Sequence, residues 1–176
     1  MIFISGVHGV GKSYFCKKLK EKIDIEIYTS SQLIEKKKNI SFASDKKISD
    51  INDNQSYLLA EVRKLKDDNS FFLLDGHFCL LDEEGNITRI SEETFMDLEP
   101  EVIVLLTEKA EIIVERRMKR DGIKVDIDQV NRFQEAEIIY AKEIARKLNV
   151  PLKISQGAKE IQSVIEFIKE RRNYGR

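Results

Sequence analysis

The chain has 176 residues, about the size of one ordinary domain, with 30 basic and 31 acidic side chains and a formal net charge of −1. This balance excludes the global field of a nucleic-acid or membrane binder, so any basic site has to be local. Two well-separated cysteines, Cys16 and Cys79, exclude a disulfide scaffold or paired zinc site, and no long apolar run or basic-then-apolar leader occurs, which predicts a soluble cytoplasmic protein with buried thiols.

In chain order, residues 2–4 read as a short apolar strand that runs into Gly6-Val7-His8-Gly9-Val10-Gly11-Lys12-Ser13, and residues 12–23 read as a helix. The octapeptide satisfies the G-x-x-x-x-G-K-[ST] pattern. With a strand before it and a helix after it, successive backbone N–H groups converge at a helix N-terminus, where they can cradle the phosphates of ATP or GTP. Lys12 is placed to bridge the β- and γ-phosphates, Ser13 to ligate Mg²⁺, and Tyr14 completes the nucleotide-binding stretch.

Residues 25–28 predict a second strand, and 36–49 a polar, lysine-rich mobile loop. A helix is expected over 50–66 and a third strand over 71–74. Asp75 stands at the carboxyl end of that third run, in the position of a Mg²⁺-facing strand-end carboxylate; a turn aspartate before Gly76 is the plainer alternative. Residues 77–90 hold acidic and glycine turn residues between apolar flanks, and so predict a hairpin projecting from the end of the sheet.

A fourth strand is expected over 102–106, with helices over 108–120 and 128–148; Phe133, Ala136, Tyr140, Ile144 and Leu148 give the second helix one apolar stripe. A fifth strand over 152–154 and a helix over 158–171 close the chain. Short apolar runs alternating with amphipathic stretches predict an α/β fold with a parallel sheet covered on both faces. The third and fourth runs are too continuously apolar for a wet face and should be central. Arg116, Arg117 and Arg120 end one helix, Gly122 opens a polar segment, and Arg132 starts the next; such a cluster suits either a lid that grips phosphates or a solvated basic helix end.

On these residues, together with Asp75-Gly76-His77, Leu98-Glu99-Pro100-Glu101, Glu115-Arg116-Arg117 and Asn131-Arg132, the chain resembles the nucleoside monophosphate kinases. Within them it is most similar to the archaeal type of adenylate kinase and related small AAA-type ATP-binding proteins. The resemblance implies a single three-layer P-loop NTPase domain over 1–176, with a five-stranded parallel sheet ordered 2-3-1-4-5. It also implies a helical acceptor-binding arm at about 29–67 and a short lid at about 116–128.

By motif position Arg116, Arg120 and Arg132 look like phosphate-gripping lid arginines, and Gln156 and Gly157 like the adenine-edge loop. Ser30, Gln55, Arg63, Asp75 and His77 fall on the acceptor side, although serines at a helix start are common caps and a lone histidine beside a turn is often structural. Such a protein transfers the γ-phosphoryl of Mg-ATP to a nucleoside monophosphate. The chain departs from the family in having no arginine before Arg63, which leaves Lys36, Lys37, Lys38, Lys46 or Lys47 to meet an acceptor phosphate as point charges. Alternative readings are an ATP-binding assembly factor with slow ATPase activity on a protein or RNA partner, or a polynucleotide 5′-kinase.

Overall fold

A computed structural model describes residues 1–38, 51–68, 71–82, 84–122 and 124–174. Lys46 and Lys47, and with them most of the loop expected over 36–49, lie outside the described residues. In chain order the elements are β1 (Ile2–Ser5), α1 (Lys12–Lys20), β2 (Glu26–Thr29), α2 (Ser30–Lys38), α3 (Ile51–Asp67), β3 (Phe72–Asp75), β4 (Cys79–Leu81), β5 (Ile87–Arg89), α4 (Glu92–Leu98), β6 (Val102–Leu106), α5 (Ala110–Asp121), α6 (Ile127–Leu148), β7 (Leu152–Ser155) and α7 (Ile161–Tyr174).

Five strands form one parallel sheet in the order β2-β3-β1-β6-β7, which is 2-3-1-4-5 when only sheet strands are counted. β3 and β6 flank β1, and Phe72–Leu74 and Val102–Leu106 are buried throughout, so their continuous apolar runs reflect cover on both faces. The edge strands tolerate exposed Glu26 and Ile154. Register places Ile4 beside Asp75 on one side and Val104 on the other, bringing Asp75 level with the end of β1.

Helix ends follow their local chemistry. The Asp126 carboxylate accepts from the Gln129 N–H at 3.0 Å and starts α6, while left-handed Glu99, Gly122 and Asn149 end α4, α5 and α6. Pro100 and Pro151 then prevent α4 and α6 from continuing. Two helices go beyond the sequence reading. α2 turns Leu33 and Ile34 inward from a lysine-rich segment, and α4 turns Thr94, Phe95 and Leu98 inward.

The hairpin forms, with β4 antiparallel to β5, but it does not project as expected. Phe78, Cys79, Leu80 and Leu81 are buried. Phe78 stacks on Phe95 with ring centroids 4.8 Å apart and meets Phe3 edge-on at 5.2 Å; the Tyr140 hydroxyl donates to the Ile90 carbonyl at 2.6 Å. Its apolar flanks outweigh its turn composition and draw its base into the core, leaving the polar tip at 84–86 outside.

Both cysteines are buried, and burial pushes each thiol up to about 12. Neither should react appreciably with a thiol reagent at pH 8 in the native protein, whereas both should react in denaturant. Rapid native modification of either would contradict this packing. Among the described residues no helix is long and apolar enough to cross a membrane.

Candidate active site

The loop after β1 is shaped by three glycines that carry positive φ. A Cβ on Gly6 (φ 143°) would lie 2.6 Å from the Leu106 carbonyl oxygen, and one on Gly9 (φ 89°) would lie 2.8 Å from the Arg117 stem. Gly11 (φ 108°) precedes α1 without a side-chain cap, and the first turn of α1 carries no acidic residue. The positive end of α1 is therefore left bare, as an anion cradle requires.

Lys12 is buried in this cradle. Its ammonium donates to the Gly6 carbonyl and, at 3.0 Å, to His77 Nε2, and lies 3.9 Å from Asp75 Oδ1. The His77 ring in turn tilts against His8, with centroids 4.3 Å apart. Burial pushes the Asp75 carboxyl above its ordinary range, while Lys12 pulls it back down. Four side chains from two stretches of sequence thus meet at the carboxyl ends of β1 and β3.

The cradle fits a polyphosphate: open backbone donors, a helix N-terminus and a buried ammonium share one side of a cavity. The Ser13 hydroxyl and the Asp75 carboxylate line the same cavity, and both are hard oxygen donors suited to Mg²⁺. Among the described residues no group of three or more His, Cys, Asp or Glu could hold a metal by itself. A cation between Ser13 and Asp75 would therefore draw its remaining ligands from phosphate and water.

On the lid side α5 continues to Asp121, so the expected lid reduces to the short connection from Gly122 to α6. Arg116 donates to the Val10 carbonyl at 2.8 Å and to Glu108 at 3.2 Å. Gln134 of α6 grips the backbone of Glu108 at 2.8 and 3.0 Å, so this arginine is held in place from behind. Arg120 forms a two-pronged pair with Asp121 at 2.7 Å, which raises its pKa. Arg116, Lys119, Arg120 and Tyr14 line the cavity.

Arg132 does not join them. It sits on the exposed face of α6, opposite Val130 and Phe133, and is not among the cavity residues. Gln156 and Gly157 also lie off the cavity wall; the Gln156 N–H donates to Glu160 at 2.7 Å, and Gly157 opens a 3-10 turn packed against α1. Arg117, grouped by sequence with the lid arginines or a solvated helix end, instead lies buried with its stem against Gly9 and its Nε unpartnered. Its signal was the i, i+4 pairing with buried Ile113.

From the cradle the cavity, about 860 Å³, extends to a wall made by α2, α3, β4 and α4. Ser30, Gln55 and, with them, Asn54 line it beside Leu80, Phe95 and Leu98. Capping of α2 falls to Thr29, whose Oγ1 accepts from the Gln32 N–H at 3.2 Å; Ser30 is not needed for that task. Gly76 lets Ser30 and Phe3 pack close, since a Cβ there would lie 2.9 Å from Ser30 Oγ and 2.7 Å from the Phe3 ring. Arg63 is exposed, 3.6 Å from Asp97, and is not part of the wall.

Glu137 holds the two halves together. From α6 its carboxylate accepts from Ser5 Oγ at 2.6 Å and from the Phe78 and Cys79 N–H groups at 2.9 and 2.8 Å. Burial pushes its carboxyl well above the ordinary range, against the opposing pull of these donors and of Lys12. One buried side chain fixes the strand end that launches the cradle and the segment that follows Asp75 and His77.

Comparison with known proteins agrees with this architecture. The family model described as AAA domain matches residues 5–134, and no curated protein matches. Among solved structures, the shikimate kinase from Acinetobacter baumannii in complex with shikimate is 16% identical with a TM-score of 0.58, covering 96% of this chain and 92% of that one. A gluconokinase from Sinorhizobium meliloti 1021 is 14% identical with a TM-score of 0.51, covering 94% and 86%. An uncharacterized protein from Eubacterium ventriosum ATCC 27560 is 18% identical with a TM-score of 0.55, covering 96% and 97%. At these identities the likeness is one of fold.

Proposed function

This chain belongs to the AAA domain family, and from that premise we propose that it is an ATP-dependent phosphotransferase acting on a small-molecule acceptor. The observation that carries the reading is that one cavity joins the phosphate cradle to a separate wall of polar and apolar side chains, room for a donor and an acceptor end to end. The solved structures that share its fold include a gluconokinase and a shikimate kinase in complex with shikimate, which supports the reading.

Mg-ATP would supply the phosphoryl group, with the cation neutralising charge between Ser13 and Asp75. The loop N–H groups hold the phosphates and Lys12 leaves the Gly6 carbonyl to meet the transferring group. Arg116 and Arg120 approach it from the lid side, where guanidinium groups stabilise charge spread over phosphoryl oxygens. His77 orients Lys12 and the Asp75 segment. Transfer of this kind rests on positioning and electrostatics.

Motif order alone would make the acceptor a nucleoside monophosphate, as in an adenylate kinase. Among the described residues the cations that line the cavity are Lys12, Arg116, Lys119 and Arg120, all at the cradle or lid, so the acceptor wall lends that choice no support. A coupled assay for ADP, run with Mg-ATP against a panel of nucleotides, nucleosides, sugars and sugar acids, tests the reaction class. Acceptor-dependent ADP formation with at least one member is expected. ADP release that no acceptor changes would contradict the proposal.

A further inference from the structure

Among the described residues five buried side-chain atoms lack a hydrogen-bond partner, and three of them, Ser30 Oγ, Asn54 Oδ1 and Gln55 Oε1, belong to residues of the acceptor wall. Asn54 and Gln55 are only 4% and 6% exposed. Leaving a buried polar group unmatched costs about 1–3 kcal/mol, so a cluster of three on one wall calls for an explanation. Capping of α2 does not account for Ser30, because Thr29 already supplies that cap.

The chemistry of these atoms specifies their partner. The two amide carbonyl oxygens present lone pairs that call for donated O–H or N–H groups, and the Ser30 hydroxyl can donate or accept, a set suited to a hydroxyl-bearing ligand. The charged side chain that the described part of this wall adds is Glu35, itself an anion. Facing these, Phe95, Leu98 and Leu80 offer an apolar surface to a ring or carbon skeleton.

We propose that the acceptor is an uncharged, hydroxyl-rich molecule of nucleoside or sugar type, recognised by Ser30, Asn54 and Gln55. This rests on the phosphotransferase reading above. The acceptor hydroxyl oxygen bonds to the γ-phosphorus as the bond from that phosphorus to the bridging oxygen of ATP breaks. The bridging electron pair leaves with ADP and the hydroxyl proton passes to solvent, giving a phosphate monoester. The amides read the remaining hydroxyls, which sets acceptor specificity without touching the donor.

The test measures label transfer from γ-³²P-ATP to adenosine and glucose as neutral probes, and to AMP, gluconate and shikimate as anionic ones. Transfer to a neutral probe at least tenfold faster than to any anion is expected. Transfer to anions alone would overturn this inference while leaving the phosphotransferase reading intact; transfer to no probe would overturn both. For the accepted neutral probe, Asn54→Ala and Gln55→Ala should each raise its KM about tenfold with the KM for ATP unchanged, the loss expected for one hydrogen bond to a neutral group. An unchanged acceptor KM in both variants, with circular dichroism confirming the fold, would also overturn it.

Discussion

Replacing Lys12 by Met is expected to lower acceptor-dependent turnover by on the order of 10³-fold or more, with a much smaller rise in the KM for ATP. The magnitude follows from what single charge-stabilising groups contribute to phosphoryl and acyl transfer, about 4 kcal/mol of barrier for three decades of rate. The split follows because an ammonium between the β- and γ-phosphates is worth most when charge develops on the leaving oxygen, and the loop N–H groups still bind the ground state. Methionine keeps most of the buried stem but cannot donate to the Gly6 carbonyl or to His77. Steady-state kinetics at saturating Mg-ATP would measure the effect. Turnover close to that of the unaltered protein would mean that the cradle does not serve transfer.

The second large effect is expected at Glu137. Removing its carboxylate by Glu137→Ala strands the Ser5 hydroxyl and the Phe78 and Cys79 N–H groups inside the protein. The cost should be on the order of 3–5 kcal/mol of folding stability, the range for breaking a buried charged network from one side. Glu137→Gln should cost far less, since its amide can accept the two N–H bonds and donate to Ser5.

The two forms should also differ in pH dependence. Burial raises the folded carboxyl above its ordinary 4.5, so between that value and the folded pKa the native state holds a proton that the unfolded chain has lost. More protons bound in the native state means that stability falls as pH rises through this window. The stability difference between the unaltered protein and Glu137→Gln should therefore shrink from acid toward neutral pH. Denaturant titrations of both at several pH values would show it, and a difference that is flat or grows with pH would contradict the assignment.

The parts of this molecule that could be read from its residues are those where one physical rule acts alone. A glycine-rich loop between an apolar strand and a helix has one efficient use, and continuous apolar runs such as 102–106 can only be central strands. The hairpin was legible in its turn chemistry but not in its placement, because burial of Phe78 depends on Phe95 and Tyr140, distant in sequence. α4 escaped notice because seven residues give too few turns for a period to register.

The candidate site was legible where charge and spacing coincide, as in Lys12, Asp75 and His77, and obscure where polar residues point inward. Glu137 occupies a core position between Phe133 and Tyr140 of the α6 stripe, and a carboxylate on such a face is a signal in itself. Asn54 shares an inward face with Leu58 and Val62 at steps of four, but a polar residue on that face does not register in an apolar pattern. Arg132 shows the reverse error: its distance in sequence from the lid suited the family pattern, but the face set by Val130 and Phe133 turns it to solvent.

The fate of the terminal phosphoryl tests the central claim most directly. Phosphorus NMR of the protein with Mg-ATP and a mixed pool of nucleosides, nucleoside monophosphates, sugars and sugar acids should show ADP accumulating together with one new resonance from a phosphorylated acceptor. ADP accompanied only by inorganic phosphate would contradict the account, since it would mean that water is the acceptor.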